Sequence, residues 1–432
     1  MFSLKVAIYT LGCKVNQYES DSMADSLKKA GYQVVPFEER ADIYIVNTCS
    51  VTNMAERKSR QIIHRARKNN PDASIVAVGC YVQAAKEELE KDLAVDYIVG
   101  NNRKKDIVRI VSEIFGSHEI SDNYIDINHT AEYESMKLDM PTEHTRAYVK
   151  VQDGCNNFCT YCIIPYARGR IRSRDRDEVR TEIEGLAERG IKEVVLTGIN
   201  LSSYGQDRPD ENFGLLELLV MVSGIEGIKR IRMGSLEPRV ITENFLETIS
   251  GIDKICPHFH LSLQSACDDT LKRMNRHYTI AEYMEKCEMI RRYYDRPAIT
   301  TDVIVGFPGE TDEEFAVTEK NLEKLNLYEM HIFKYSKRTG TPAATMPDQV
   351  PEQIKDVRSA ALLDMTAHHK KNYEESFAGE ELVMLAEECD CVDAEKNIYE
   401  LKGHTERYML VKKQGSREYC MDNVNELVSV VL

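Results

Sequence analysis

Through the first hundred residues, short apolar runs alternate with amphipathic stretches two to three times as long. KVAIYTLGC (5–13) reads as a strand and its end, followed by a helix over Gln17 to Lys29. YQVVPF, ADIYIVNTC (41–49), a helix over Ala55 to Lys68, SIVAVGC (74–80), a further helix and VDYIVG (95–100) continue the alternation. Strands separated by helical patterns predict a parallel α/β sheet, because parallel neighbours need a crossover between them. From Ser117 to about Arg146 the periodicity dissolves into a Tyr-, Asp- and His-rich acidic segment, read as a linker or an extended wrap. A longer α/β region follows, with candidate strands RAYVKVQ, EVVLTG, IKRIRMGS, HFHLSLQ, AITTDVIVG and YEMHIFKY. Six β/α repeats of this size predict a partial or complete barrel. The last sixty residues or so change to short runs such as LVMLAEE, YMLVKK and LVSVVL between polar turns, the pattern of a small β domain. The predicted division is 1–116, a linker at 117–144, an α/β domain at 145–373 and a β domain at 374–432.

The 432-residue length suits two to four domains, and 42% hydrophobic with 29% charged residues is a globular balance. No apolar run reaches the span of a membrane helix. The start, MFSLKVAIYTLG, reads as a first strand and not as a signal peptide, so a cytoplasmic protein is expected. Asp and Glu exceed Lys and Arg, 71 to 56, for a formal charge of -15. That argues against indiscriminate coating of nucleic acid, which needs dense phosphate neutralisation, but leaves a local site open. The 12 cysteines then carry weight. In a reducing compartment they are core residues, reactive thiols or metal ligands before they are disulfides.

GCNNFCTYCIIPYARGR (154–170) is the strongest local signal. Cys155, Cys159 and Cys162 form CxxxCxxC directly after a predicted strand. Three thiolates so spaced suit three irons of a [4Fe-4S] cube with the fourth iron open. Structural zinc would want a fourth ligand, and none lies close in sequence; His258 and His260 are remote. Cys13, Cys49 and Cys80 are too far apart for a local knuckle, yet each follows an apolar run in its own β/α unit: YTLGC, IVNTC, AVGC. Strand ends of an open parallel sheet share one edge, where ligands bind, so these three converge on a second cluster site. Gly12 and Gly79 just before two of them suit tight turns or close approach. Cys256, Cys267, Cys287, Cys389, Cys391 and Cys420 are read as ordinary cysteines.

CxxxCxxC at the first strand of a barrel-like region resembles the radical S-adenosylmethionine (SAM) superfamily. TLGCKVNQYES (10–20), VNTCSVTNMAERKSRQ (46–61), VGCYVQ (78–83) and GCNNFCTYCIIPYARG (154–169) resemble the methylthiotransferases within it. TLGCKVNQYES and CPHFHLSLQSACD (256–268) are most similar to the branch acting on N6-threonylcarbamoyladenosine in tRNA. The resemblance implies a Rossmann-like N-terminal domain, a radical SAM partial (β/α)6 TIM-type barrel and a C-terminal TRAM-type β domain. It implies two [4Fe-4S] clusters, on Cys155, Cys159 and Cys162 and on Cys13, Cys49 and Cys80. It also implies SAM as both methyl donor and radical source, and a product methylthiolated at C2 of adenosine 37 in the anticodon loop. An electron-donor protein such as flavodoxin or ferredoxin would supply the reductant. Two related activities share both triads: methylthiolation of isopentenyladenosine in tRNA and of a ribosomal-protein aspartate. Ala266 and Gly234 depart from the family wording, and neither change removes a ligating group.

Tyr161, between the second and third cysteine, holds the place where the superfamily carries an aromatic residue against the cofactor. Glu237, in GSLEP at a predicted strand end, is the leading polar contact for SAM, followed by Asn200, Gln264 and Arg276. No Gly-rich phosphate fingerprint appears, so NAD and ATP are not implied. ARGRIRSRDRDEVR (167–180) has six arginines against three acids. Arg168, Arg170, Arg172 and Arg174 alternate, so an extended backbone would aim them to one side, toward tRNA phosphates. Arg168 has a second reading, approach to SAM or the cluster. Arg57, Lys58, Arg60, Arg65, Arg67 and Lys68 form another basic face. The acidic terminal domain gathers its basic residues in Lys402, Arg407, Lys412, Lys413 and Arg417, a face for tRNA; without such a patch the domain would dock on the barrel instead.

Overall fold

The computed structural model describes residues 4–116, 119–121, 123–140 and 145–432. Residues 1–3 and positions 117, 118, 122 and 141–144 of the expected linker lie outside the described residues. The N-terminal sheet is β1 (Lys5–Thr10), β2 (Gln33–Val35), β3 (Ile43–Thr48), β4 (Ser74–Gly79) and β5 (Tyr97–Val99). All pairings are parallel, in the order β2-β1-β3-β4-β5. Every residue of β3 is buried, because helices cover both faces of a parallel sheet. The order reverses between β1 and β3, which opens a crevice at their carboxyl ends. Out of that edge run α1 (Lys14–Lys29), α2 (Asn53–Asn69) and α3 (Cys80–Ala84). Thr52 caps α2 by accepting from the Ala55 amide at 3.1 Å.

The six predicted strands of the second region all form: β6 (Arg146–Asp153), then, after the short antiparallel β7 (Arg172–Ser173), β8 (Glu193–Gly198), β9 (Arg230–Met233), β10 (His258–His260), β11 (Ala298–Val305) and β12 (Glu329–Lys334). β6, β8 and β9 pair in parallel, as do β10, β11 and β12. Single bridges Ile231–Ile255 and Leu236–Leu261 join the two halves into one partial, barrel-like sheet over a shared apolar core. Ala266 is buried with φ below zero, so its Cβ is unstrained. The last strands, β13 (Glu381–Asp393), β14 (Ile398–Thr405), β15 (Leu410–Gly415) and β16 (Leu427–Val431), make an antiparallel sheet in the order β15-β14-β13-β16. Among the described residues, no helix is long and apolar enough to cross a membrane.

The described part of the acidic segment after the first sheet runs as a strap along both α/β regions. Tyr18 donates to the Met136 carbonyl at 2.6 Å, and Tyr133 donates to the Lys150 carbonyl at 2.8 Å, so the strap is stitched to both α/β regions.

Candidate functional site

Cys13, Cys49 and Cys80 meet at the crevice as strand-end reasoning requires. Cys13 is the N-cap residue of α1, Cys49 follows β3 and Cys80 opens α3. Gly12 has φ of 107°, and a Cβ there would lie 2.9 Å from the Cys49 sulfur, so only glycine lets these two loops touch. Asn16 ties them further, its amide donating to the Leu11 and Thr48 carbonyls at 2.6 and 3.1 Å. Burial, with Cys80 and Cys13 adding to it, pushes the Cys49 thiol up to about 12.

The CxxxCxxC loop is held by backbone bonds. Cys155 N donates to the Gly169 carbonyl at 3.0 Å, Cys162 N to that of Cys159 at 2.9 Å, and Thr160 N to that of Met274 at 3.1 Å. Asn275 donates to the Asn157 and Phe158 carbonyls, each at 3.2 Å. Burial raises the thiols of Cys155 and Cys162 to about 11 and about 12. Bound metal must therefore displace protons. Among the described residues, which include all six cysteines, neither triad draws its three sulfurs within 4.8 Å of one another, as one ion would require.

A buried polar network that the sequence reading missed joins the two domains beside Cys80. Arg168 donates from Nε to the Cys80 sulfur at 3.2 Å, and its other nitrogens reach Glu19 at 2.8 and 3.0 Å, Asp153 at 3.2 Å and Asn16 at 2.6 Å. Lys150 pairs with Glu19 at 2.7 Å and Asp153 at 2.6 Å, and Lys104 with Glu19 at 2.5 Å. Burial opposes the Glu19 carboxylate, but Arg168, Lys104 and Lys150 together hold it well below the ordinary range. The signal was present in α1, where Asn16 and Glu19 take inward positions that helical periodicity would fill with apolar groups.

This network corrects the expected basic stripe. Arg168, Arg172 and Arg174 are buried, not aligned toward solvent: Arg172 donates to the Arg168 carbonyl at 2.9 Å, and Arg174 pairs with Glu182 at 2.9 Å. Polyanion phosphates have no route to them. Only Arg170 is exposed, lying 4.5 Å from the Phe158 ring. Of the face on α2, Arg60, Arg65 and Arg67 pair with Glu88, Glu38 and Asp96, while Arg57, Lys58 and Lys68 are exposed. In the terminal domain Arg407 is also spent, donating to the carbonyls of Arg296 and Asp295 at 3.1 and 3.2 Å. Lys413 donates to the Ser429 carbonyl at 2.8 Å, and exposed Lys412 pairs with Glu400 at 3.0 Å. The domain docks on the barrel: Arg230 and Arg232 reach the carbonyls of Val383, Thr405 and Glu406, and the Tyr408 ring stacks on His258 at 5.1 Å.

Two cavities flank the CxxxCxxC loop. The first, about 290 Å³, is lined by Cys159, Asn200, Glu237 and Arg276, which brings three expected SAM contacts together. Arg276 donates to the Cys159 sulfur at 3.4 Å and to Glu237 at 2.7 Å. The Asn200 side chain lies against Cys155, and its buried Oδ1 has no partner. An orphaned acceptor, a carboxylate and a guanidinium around one opening suit a ligand bearing both ammonium and carboxylate groups. The second cavity, about 210 Å³, is lined by Tyr161, Cys162, Gln264, Asp302, Ile304 and Phe333, together with Val51 and Thr52 from the loop after Cys49. Tyr161 and Gln264 therefore sit on the other side of the loop from the remaining three. The second cavity lies between the two sheet edges, and its rim exposes Val51 and Phe333.

Fold and site define a radical SAM enzyme. Residues 149–322 match the Radical SAM superfamily, which implies one [4Fe-4S]–SAM site, and residues 5–100 match uncharacterized protein family UPF0004. The radical SAM methyltransferase TsrM from Kitasatospora setae, solved with cobalamin and a [4Fe-4S] cluster, superposes with a TM-score of 0.58 at 16% identity, over 79% of this chain and 74% of that one, a likeness of fold alone. Sequence relatives are closer. Threonylcarbamoyladenosine tRNA methylthiotransferase MtaB of Bacillus subtilis is 40% identical over 98% of this chain and 93% of its own, and that of Aquifex aeolicus 39% over 99% and 100%. The tRNA-2-methylthio-N(6)-dimethylallyladenosine synthase of Dictyoglomus thermophilum is 37% identical over 96% and 93%. The chain belongs to the radical SAM tRNA methylthiotransferase family, and it is an enzyme of the transferase class.

Proposed function

We propose that this enzyme converts N6-threonylcarbamoyladenosine 37 of tRNA to its 2-methylthio derivative in the cytoplasm. One observation supports the reading: the two cysteine triads come from different domains, and Arg168, from the segment just after Cys162, donates to the Cys80 sulfur of the other triad. We assign Cys155, Cys159 and Cys162 to the SAM-binding [4Fe-4S] cluster and Cys13, Cys49 and Cys80 to a second. When bound, these clusters and SAM supply the radical and sulfur chemistry that side chains lack.

The residues of the chain place and shield that chemistry. Asn200, Glu237 and Arg276 orient SAM through its ammonium and carboxylate, and Tyr161 and Gln264 bound the chamber beside it. Arg168 and Arg276 each donate to one of the cysteine sulfurs, those of Cys80 and Cys159, and so orient them. The rim of Val51 and Phe333 receives a base unstacked from the anticodon loop, where unstacking is cheap. Exposed Arg57, Lys58 and Arg170, with Lys412 of the TRAM-type domain, meet the phosphates, and a flavodoxin- or ferredoxin-type donor supplies electrons. The domains divide at 1–116, 145–373 and 374–432, with 117–144 as linker.

Nucleoside mass analysis of tRNA from cells with and without the gene tests the reading. Loss of 2-methylthio-N6-threonylcarbamoyladenosine is expected. Loss of the dimethylallyl nucleoside instead would move the enzyme to the other activity.

A further inference from the structure

Beside the cavity between the two cysteine edges lies a polar cluster that the proposed chemistry leaves unused and that reaches the cavity through Asp302. Asp302 lines that cavity, and its carboxylate lies within 4.8 Å of ligand nitrogens of both His260 and His331. The three residues come from β10, β11 and β12, with Asp302 and His331 in direct register. His260 is oriented by Thr300 Oγ1 at 3.0 Å and meets Asp302 at 3.4 Å through Nε2, so that carboxylate already has a partner. His331 is exposed, stacks on His260 at 5.8 Å, and has no hydrogen-bond partner among the described residues. The fourth member comes from the other domain. Half-buried Lys14, the residue after Cys13, extends among Arg232, Arg146, Glu193 and Asp302 and lies 5.8 Å from the Tyr408 ring.

Lys14 makes no ion pair and no hydrogen bond among the described residues. Its neighbours are spoken for: Arg232 and Arg146 pair with Glu193, and Arg146 also with Glu387. An unpaired cation drawn partly out of water is costly unless a ligand completes it. A group that is anionic at one point and hydrogen-bonding elsewhere would complete Lys14 and the His260–Asp302–His331 cluster.

We propose that Lys14, together with His331 across Asp302, binds the carboxylate of the threonylcarbamoyl group and so sets substrate selection. The proposal rests on the assigned activity and adds the contact that recognises the substrate. Lys14 supplies the charge, His331 a donor, and the His260–Asp302 pair an acceptor for the threonyl hydroxyl. Because Lys14 adjoins Cys13, docking of the carboxylate also fixes the adenine relative to the second triad.

The test uses cluster-loaded full-length enzyme and two anticodon stem-loop RNAs, one carrying N6-threonylcarbamoyladenosine and the other its methyl ester. Wild-type enzyme is expected to favour the free acid by at least tenfold in kcat/KM, mostly through KM. Lys14→Gln is expected to bring that ratio close to one, and His331→Ala to lower it in part, with iron content checked for each variant. Equal use of acid and ester by the wild-type enzyme would overturn the proposal even if the Lys14 variant failed to load iron. A tenfold preference that survives Lys14→Gln at full iron content would also overturn it. Failure of the wild-type enzyme to methylthiolate the acid at all would instead remove the activity on which the proposal rests.

Discussion

Cys155, Cys159 and Cys162 lie within eight residues of one loop, whereas Cys13, Cys49 and Cys80 are separated by 36 and 31 residues and meet only because three strands end at one edge. The first triad is positioned locally, by backbone bonds within its loop and to the Met274–Asn275 turn. The second depends on strand order, on Gly12 and Asn16 bringing two loops together, and on Arg168 crossing from the other domain. A local site needs its loop to close; a distributed site needs two folded domains and their interface. The second triad should therefore be more sensitive to changes far from its ligands.

The largest effects come from removing the ligands. Cys155→Ala, Cys159→Ala, Cys162→Ala together should abolish cleavage of SAM and leave about four of roughly eight irons. The triple alanine variant of Cys13, Cys49 and Cys80 should also retain about four irons, but should still cleave SAM to 5'-deoxyadenosine without methylthiolating RNA. Full iron retention in either protein would mean that its triad is no cluster site.

Removing the bridge between the regions ranks next. Arg168→Met leaves the Glu19 and Asp153 carboxylates buried and short of a partner, at a cost of about 3–5 kcal/mol in denaturant unfolding. Lysine should not rescue it, because one ammonium cannot serve Cys80, Glu19, Asp153 and Asn16 in a fixed fork. Arg170→Met, two residues away but exposed, should change stability by less than about 0.5 kcal/mol. Similar losses for the two would mean that the network adds nothing to the interface.

Gly12→Ala should cost about 1–3 kcal/mol for a strained left-handed backbone and also lose iron from the distributed triad, since its Cβ would lie 2.9 Å from the Cys49 sulfur. Gly31→Ala shares the left-handed φ but meets no atom within 4 Å, so it should carry the strain with iron unchanged. Iron loss in both would point to the backbone and not to the sulfur contact.

The smallest effect is on pH. Burial holds the Cys49 thiol up at about 12 in the cluster-free protein, above its unfolded value near 9. The stability contributed by the protonated thiol is then fully present below about pH 8.5 and is lost as the pH rises toward 12. Cluster-free wild-type protein should lose about 1 kcal/mol per pH unit more than Cys49→Ala between pH 9 and 10. Parallel slopes would show that Cys49 ionises freely in the folded chain.

Most of the architecture was legible because it is written in local periodicity. All six barrel strands and the five of the first sheet sit where alternating apolar runs put them, and the strand-end rule carried Cys13, Cys49 and Cys80 to one edge across long separations. The error over Arg168, Arg172 and Arg174 had a definite cause. Alternation tells which residues share a side of an extended segment, not whether that side meets water or another domain. Arg168 finds the buried Glu19 carboxylate 149 positions away and Arg174 the buried Tyr18 hydroxyl at 3.1 Å, 156 positions away, while Arg172 donates back to the Arg168 carbonyl. Arg407 and Tyr408 repeat the lesson, since a basic turn that reads as an RNA face is the wedge holding the terminal sheet on the barrel. Spacing and period determined the elements and brought Cys13, Cys49 and Cys80 to one sheet edge, and motif wording pointed to the family. Only the tertiary structure decided which charges pair, because charge pairing depends on distances across domain interfaces, and those distances leave no periodic trace along the chain.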